Sequence, residues 1–208
     1  MGNTIMMTKG KALLGALAVL LAAILLSGCS GSLSSTRYTV KSYSGGKAVA
    51  NFEATEYTSG DSRIYATLTN GRKVVVGGTF SVVRTDAGAA NTTARPTKYT
   101  AQLFSGGTVV EQYDAYDYST GDGKIYLHLS RTERVVVGGT FVLTRLGTQT
   151  DGIADSARYK VSVYSDGILI KTWHADSYTA GDGRIYLTIN GITEAVAIGG
   201  QYVVEQFR

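Results

Sequence analysis

The chain has 208 residues, a formal net charge of +4 and only 17% charged residues, and it contains 26 glycines, one proline and one cysteine. This composition excludes collagen, which needs glycine at every third position, disulfide-stapled scaffolds, which need paired cysteines, and highly charged disordered chains, which are poor in aromatic residues. A globular, β-rich protein remains, since 14 tyrosines are spread through a chain of near-zero mean hydropathy.

The N-terminal residues have the layout of a secretory signal peptide. Two lysines precede an apolar run, Ala12 to Leu26, and the small residues Ser27 and Gly28 follow it. This order of basic, apolar and small-residue segments is typical of signal peptides. A helix of that length covers roughly 22 Å, less than the roughly 30 Å hydrocarbon core of a bilayer. We therefore expect residues 1–28 to be cleaved off rather than to span the membrane permanently.

The end of this segment, Leu26-Ser27-Gly28-Cys29, resembles the lipobox of bacterial lipoproteins, and Cys29 is the only cysteine of the chain. The resemblance implies cleavage before Cys29, diacylglycerol on its thiol and acylation of the new amino terminus. Several acyl chains exceed the two signals that stable membrane anchoring requires. Ser30 is not aspartate, which by resemblance to Gram-negative lipoproteins implies transport to the outer membrane. The alternative is an ordinary signal peptide with a coincidental cysteine.

The mature chain offers little for nucleic acid or thiol chemistry. Residues 1–28 hold two lysines and no acidic residue, so their removal lowers the net charge from +4 to +2. A net charge of about +2 is much smaller than the positive charge typical of nucleic-acid-binding proteins, so nucleic-acid binding is not expected. Once Cys29 carries lipid, no thiol remains for a disulfide, a zinc site or a nucleophile.

The remainder consists of three copies of one unit. Arg37-Tyr38 recurs as Lys98-Tyr99 and Arg158-Tyr159, at spacings of 61 and 60 residues. Each copy contains a tyrosine-flanked turn motif, which reads YTSGDSRIY at 57–65, YSTGDGKIY at 118–126 and YTAGDGRIY at 178–186. The predicted order is a signal peptide (1–28), a lipidated tether (29–36), three β-repeats (37–85, 98–146 and 158–208) and two turn-rich linkers (86–97 and 147–157).

The repeats are predicted to be all-β. Ile185, Leu187 and Ile189 alternate with polar residues, as expected for a half-buried strand, and the other copies repeat the pattern. Odd spacing between Val49 and Phe52, and between Val110 and Tyr113, predicts a bulge in the second strand. A double glycine inside the last apolar run predicts a sharp bend. These features favour three small antiparallel modules, either SH3-like or partly open barrels.

Two arrangements of the modules are open. Separate modules on linkers are favoured, because the linkers are longer than the connections within each repeat. Some contact between neighbouring modules is expected, since a repeat such as 37–85 is near the lower size limit for a core without staples. One closed assembly, such as a propeller, is disfavoured because three blades are fewer than the usual four to eight.

We expect no catalytic centre, metal site or cofactor. His128 and His174 do not recur in the other copies and lie in no recognisable catalytic motif. Asp61, Asp122 and Asp182 each lie in a glycine-rich turn. A calcium loop needs several oxygen ligands, whereas each turn offers one carboxylate, so turn chemistry explains the aspartates better.

Aromatic side chains are the candidate ligand contacts. Tyr65, Tyr126 and Tyr186 are equivalent and lie on the strand face opposite the apolar residues, while Trp173 replaces Phe52 and Tyr113. Exposed aromatic residues on a sheet can stack on sugars or anchor a protein partner. The favoured interpretation, however, is that they pack across strands against Tyr43, Phe104 and Tyr164.

The expected function is therefore that of a cell-envelope lipoprotein, anchored to the membrane, whose repeats act as a non-catalytic binding or structural module for an envelope protein or glycan. The alternatives are a phage or plasmid surface-exclusion lipoprotein and, less favoured, a hydrolase of cell wall or glycan. No repeated carboxylate pair supports the hydrolase, because Glu53 and Asp114 are replaced by His174 in the third repeat.

Overall fold

A computed structural model describes residues 37–85 and 95–207, which form strands and connecting turns. The predicted signal peptide, Cys29, the tether and most of the first linker lie outside the described residues. The all-β prediction is confirmed, because the described residues form three antiparallel sheets. Within these two ranges, no helix is long and apolar enough to cross a membrane.

Seventeen strands follow the repeat boundaries. The first repeat contains β1 (Arg37–Ser44), β2 (Lys47–Gly60), β3 (Arg63–Leu68), β4 (Lys73–Val76) and β5 (Thr79–Thr85). The second contains β6 (Tyr99–Ser105), β7 (Thr108–Ala115), β8 (Asp117–Gly121), β9 (Lys124–His128), β10 (Arg134–Gly138) and β11 (Thr140–Arg145). The third contains β12 (Tyr159–Ser165), β13 (Ile168–Ala175), β14 (Ser177–Gly181), β15 (Arg184–Ile189), β16 (Ile192–Gly199) and β17 (Gln201–Gln206).

Each repeat follows the same internal topology. The first strand pairs on one side with the second strand and on the other with the last, as β1 does with β2 and β5. The middle strands form a separate ladder, β8-β9-β10 in the second repeat and β14-β15-β16 in the third. In the first repeat β2 continues without interruption into this ladder. The repeats are therefore partly open, and no barrel closes among the described strands.

The bulges predicted in the second strands of the first and second repeats are present, and the third repeat contains one as well. Opposite Ser42 and Tyr43 the pairing passes from Ala50 to Ala48, so Val49 is the extra residue. Val110 and Ile170 are skipped in the same way. Val49 is 62% exposed, whereas Phe52 packs against the core of the first repeat, so the bulge leaves Val49 outside that core.

The double glycines separate the last two strands of each repeat. Gly78, Gly139 and Gly200 have φ values of +75°, +97° and +96°, a region that glycine adopts without the steric cost of a Cβ atom. The two strands on either side of this break enter different ladders. In the first repeat β4 pairs with β3, whereas β5 pairs with β1.

The expectation of separate modules is wrong, because neighbouring repeats share sheets. The last strand of the first repeat, β5, pairs with β10 of the second, and β11 of the second pairs with β16 of the third. The resulting sheets have the orders β4-β3-β2-β1-β5-β10-β9-β8, β14-β15-β16-β11-β6-β7 and β13-β12-β17. The described residues, 37–85 and 95–207, accordingly belong to one compact unit.

The hydrophobic cores also cross the repeat boundaries. Val136 and Tyr126 of the second repeat pack into the core of the first. Phe104 and Val142 of the second repeat belong to the core of the third. A repeat of about 50 residues buries too little apolar surface to be stable by itself without staples, and the neighbouring repeat supplies the missing contacts.

The second linker, residues 147–157, is held against the third repeat by polar contacts. Lys171 Nζ lies 3.2 Å from the Asp151 carboxylate, and Asn190 Nδ2 donates to the carbonyl of Gln149 at 2.9 Å. This segment is therefore part of the folded assembly.

Candidate functional site

The predicted contact residues Tyr126 and Tyr186 lie at the boundaries between repeats. The Tyr126 hydroxyl is 3.0 Å from Ser59 Oγ of the first repeat, and the Tyr186 hydroxyl donates to Thr120 Oγ1 of the second at 3.0 Å. Both rings are half-buried against the core of the preceding repeat. The structure therefore uses both tyrosines to join repeats.

The other two predicted contact residues have different surroundings. Tyr65 belongs to the first repeat, no other repeat among the described residues covers it, and it is 42% exposed. Trp173 is only 3% exposed and lies in the core of the third repeat, with Lys171 Nζ 5.4 Å from the ring centroid. The structure does not bring the four residues together into one site.

A second set of equivalent tyrosines packs within each repeat. Edge-to-face pairs join Tyr38 to Tyr57, Tyr99 to Tyr118 and Tyr159 to Tyr178, with centroid distances of 4.9, 4.9 and 5.0 Å. Such pairs add about 0.5–1.5 kcal/mol beyond the area that they bury. The repeated tyrosines at 57, 118 and 178 therefore have a structural role.

A polar network lies at the boundary between the first and second repeats. Glu111 of the second repeat accepts hydrogen bonds from Lys41 Nζ, at 2.8 Å, and from the Tyr43 hydroxyl. The Tyr43 hydroxyl also lies 3.5 Å from Oγ of the fully buried Ser81. The sequence signal for this network is Ser81 itself, a polar residue at the position that valine holds in the other repeats (Val142 and Val203).

The network perturbs the titration of its members. Burial alone would raise the pKa of Glu111, but hydrogen bonds from Lys41 and Tyr43 and the charge of Lys41 outweigh it, so this pKa lies below its usual value. Burial and the bond to Glu111 raise the pKa of Tyr43. The arrangement keeps Glu111 charged and Tyr43 protonated at neutral pH, which stabilises the contact between the repeats.

A groove of about 630 Å³ is lined by equivalent turns of all three repeats. Its walls carry Asp61, Asp122 and Asp182 together with the residues that follow each strand break, such as Thr79 and Thr140. The three aspartates have φ values of +47°, +48° and +50°. This left-handed conformation is one that aspartate tolerates in turns, so the prediction of turn residues is confirmed.

Two buried cations lie beside the groove. Lys124 is fully buried and donates to the Asp122 carbonyl at 3.0 Å. Arg184, which is 2% exposed, lies 3.3 Å from the Asp182 carboxylate and donates across the boundary to the Lys124 carbonyl at 2.9 Å. Buried cations need such partners because an unpaired one is costly to desolvate. The residues that line the groove offer carboxylates, hydroxyls and backbone groups for hydrogen bonds to a polar ligand.

Among residues 37–85 and 95–207, no group of three or more His, Cys, Asp or Glu side chains is arranged to hold a metal ion. No family model matches the chain, and no curated protein or solved structure matches it significantly.

Proposed function

We propose that this protein is a membrane-anchored lipoprotein of the bacterial cell envelope whose three repeats form a non-catalytic structural and binding module. The observation that carries the proposal is the sharing of sheets between repeats, β5 with β10 and β11 with β16. A stack built in this way resists separation of its repeats, because pulling them apart breaks main-chain hydrogen bonds and exposes shared core residues. Such rigidity suits a structural or display role at a membrane surface.

The proposed anchor is the lipid on Cys29, supported by the match of Leu26-Ser27-Gly28-Cys29 to a lipobox. Cells that produce the full chain or its Cys29→Ser variant are labelled with a palmitate analogue and then fractionated. We expect label and membrane association for the native chain and neither for the variant. Label that survives Cys29→Ser would reject the anchor, and membrane association without label would indicate an uncleaved N-terminal segment.

The proposed partner besides the membrane is an envelope protein or glycan that binds in the turn-lined groove. The groove volume of about 630 Å³ lies within the range of about 300–1,000 Å³ typical of ligand sites. Carboxylates along its walls are suited to hydroxyl and amide donors, which glycans carry in number.

The groove is tested by co-sedimentation of the protein with purified cell-wall sacculi and, separately, with envelope membranes. The test variant is Asp61→Asn/Asp122→Asn/Asp182→Asn, because asparagine also tolerates positive φ and preserves the turns. Tyr65→Ala serves as an exposed control outside the groove. We expect the triple variant to lose binding and the control to keep it. Equal retention of all three proteins would contradict a ligand role for the groove.

A further inference from the structure

Neighbouring repeats are joined by the same type of strand pairing at both internal boundaries. Among the described strands, one strand of each type lies at a sheet edge without such a partner. Between repeats, the last strand of one repeat pairs with the strand before the double glycine of the next. In the first repeat that latter strand is β4, and in the third repeat the last strand is β17. Both stand at the edges of their sheets. An edge strand of this kind is a template for pairing with another chain.

Each of these two edges carries one valine that is exposed, although its internal equivalents are buried. Val75 on β4 is 59% exposed, whereas its equivalents Val136 and Ala197 are 3% and 1% exposed. Val203 on β17 is 48% exposed, whereas Ser81 and Val142 at the same position are 0% and 3% exposed. Among residues 37–85 and 95–207 no strand pairs with the outer edge of β4 or β17, and the exposure follows from this.

Gly77 and Gly78, which follow β4, have open space where the equivalent glycines of the other repeats contact a neighbouring repeat. A Cβ atom on Gly138 or Gly199 would collide with the ring of Phe80 or Phe141 of the preceding repeat. A Cβ atom on the equivalent Gly77 would meet only Arg63 Cγ, at 3.5 Å. Likewise Gly139 lies against Thr79, whereas Gly78 has nothing within 4 Å of its Cβ position. The aromatic residue that matches Phe80 and Phe141 on the free edge is Tyr202, on β17.

We propose that β17 of one copy of this protein pairs with β4 of a second copy, which continues the stack from repeat to repeat across molecules. The register follows from the two internal pairings, in which Phe80 is opposite Gly138 and Phe141 is opposite Gly199. It sets Tyr202 opposite Gly77, Val203 opposite Val76 and Val204 opposite Val75. The Tyr202 ring fills the space beside Gly77.

The side chains around this junction match the more apolar of the two internal boundaries. Val203 is equivalent to Ser81 and Val142. Ser81 supports the polar network at the first boundary, whereas Val142 packs in the core at the second, and Val203 is apolar like Val142. Tyr65 of the second copy takes the position of Tyr126 and Tyr186 and covers the end of the third repeat. Its hydroxyl meets Ala180 rather than the Ser59 or Thr120 of the internal boundaries, so this junction lacks one hydrogen bond and is weaker than they are.

The contact is heterologous, since it joins two different surfaces of the same chain. Contacts of this type generate rings when the rotation closes and open filaments when it does not. A lipid anchor on each copy would hold the copies on one surface and raise their effective concentration, but the pairing itself does not depend on the anchor.

Disulfide trapping in the full chain tests the junction. The chain carrying Val75→Cys/Val204→Cys places two cysteines opposite one another between copies, at the register of the internal pair Val82 and Val136. Mild oxidation of isolated membranes or of purified protein should give a ladder of disulfide-linked multiples on a non-reducing gel.

Val82→Cys/Val136→Cys is the positive control, because it should form the same disulfide within one chain. Val75→Cys/Val203→Cys is out of register and should give no ladder, and the native chain reports any background from Cys29.

Adding Gly77→Ala to the trapping variant should weaken association about tenfold, which corresponds to ~1.4 kcal/mol, while the fold is unaffected. A ladder that needs the correct register and is reduced by Gly77→Ala supports the proposal. Four results would overturn it: monomers only, while the positive control oxidises; a ladder insensitive to register or to Gly77→Ala; a disulfide between positions 75 and 204 of the same chain; or cross-links to another protein instead of a second copy.

Discussion

The ring of Phe80 lies in the space beside Gly138 that a Cβ atom would otherwise occupy, and Phe141 has the same relationship to Gly199. Phe80 belongs to the first repeat and Gly138 to the second, so the glycine allows an aromatic side chain to cross the boundary. The double glycine therefore both breaks the strand and receives the neighbouring repeat. The second role depends on a partner that is about 60 residues away in the chain.

Gly138→Ala is expected to destabilise the fold by about 1–3 kcal/mol, because the added methyl group would overpack the fully buried Phe80 ring. The equivalent change in the first repeat, Gly77→Ala, meets no such ring and should be close to neutral in dilute protein. Urea denaturation of both variants measures the difference. Equal effects of the two changes would mean that Phe80 does not occupy this position in solution.

Tyr126→Phe is expected to cost about 0.5–1.5 kcal/mol, because it removes the hydrogen bond to Ser59 across the first boundary. Tyr65→Phe is the matched control, since Tyr65 occupies the same position in the first repeat but is exposed. Thermal unfolding should show a lower midpoint for the first variant and an unchanged midpoint for the second. A loss of similar size in both would argue that the tyrosine hydroxyl acts within its own repeat.

Glu111 should contribute pH-dependent stability. Its folded pKa lies below the ordinary value of 4.5, so its contribution is fully present above that pH and is lost as the pH falls through the folded pKa. We expect Glu111→Gln to be less stable than the native chain by ~1 kcal/mol at pH 7, the scale of the net contribution of one typical hydrogen bond. Denaturation at several pH values should show the two proteins converging below pH 4.5. A gap that stays constant with pH would contradict the assignment.

Tyr57 should make the stability of the fold decrease at alkaline pH. Burial, followed by the effect of neighbouring tyrosines, raises its pKa from 10.0 to about 12. The folded state therefore holds this proton more tightly, and the associated stability is complete below pH 10 and is lost as the pH rises through 12. Tyrosinate absorbance during an alkaline titration should show one group fewer among those that ionise near pH 12 in Tyr57→Phe than in the native chain. A loss from the groups that ionise near pH 10 instead would place Tyr57 in solvent.

The strands and their irregularities were accessible from the sequence because they depend on local pattern. Alternation at Ile185, Leu187 and Ile189 indicates which face is buried, and the odd spacing of Val49 and Phe52 indicates the bulge. Both signals arise from side-chain periodicity within a single strand.

The pairing between repeats was not accessible, because periodicity does not specify which strand lies alongside which. Val82 pairs with Val136, although equivalent strands within one repeat would satisfy the same pattern. The candidate site shows the same limit. Tyr126 and Tyr186 are on the face opposite the apolar residues of their own strands, but that face is covered by another repeat, whereas Tyr65 is left exposed.

Residue-resolved amide hydrogen exchange tests the shared sheets most directly. A strand with neighbours on both sides protects all of its amides, whereas an edge strand protects alternate ones. In the Gly77→Ala chain at high dilution, where the weakened pairing between copies is negligible, we expect consecutive protection from Phe80 to Val83 on β5 and alternating protection from Tyr202 to Glu205 on β17. Alternating protection on β5 as well would mean that its second edge faces solvent, and it would contradict the joining of the repeats.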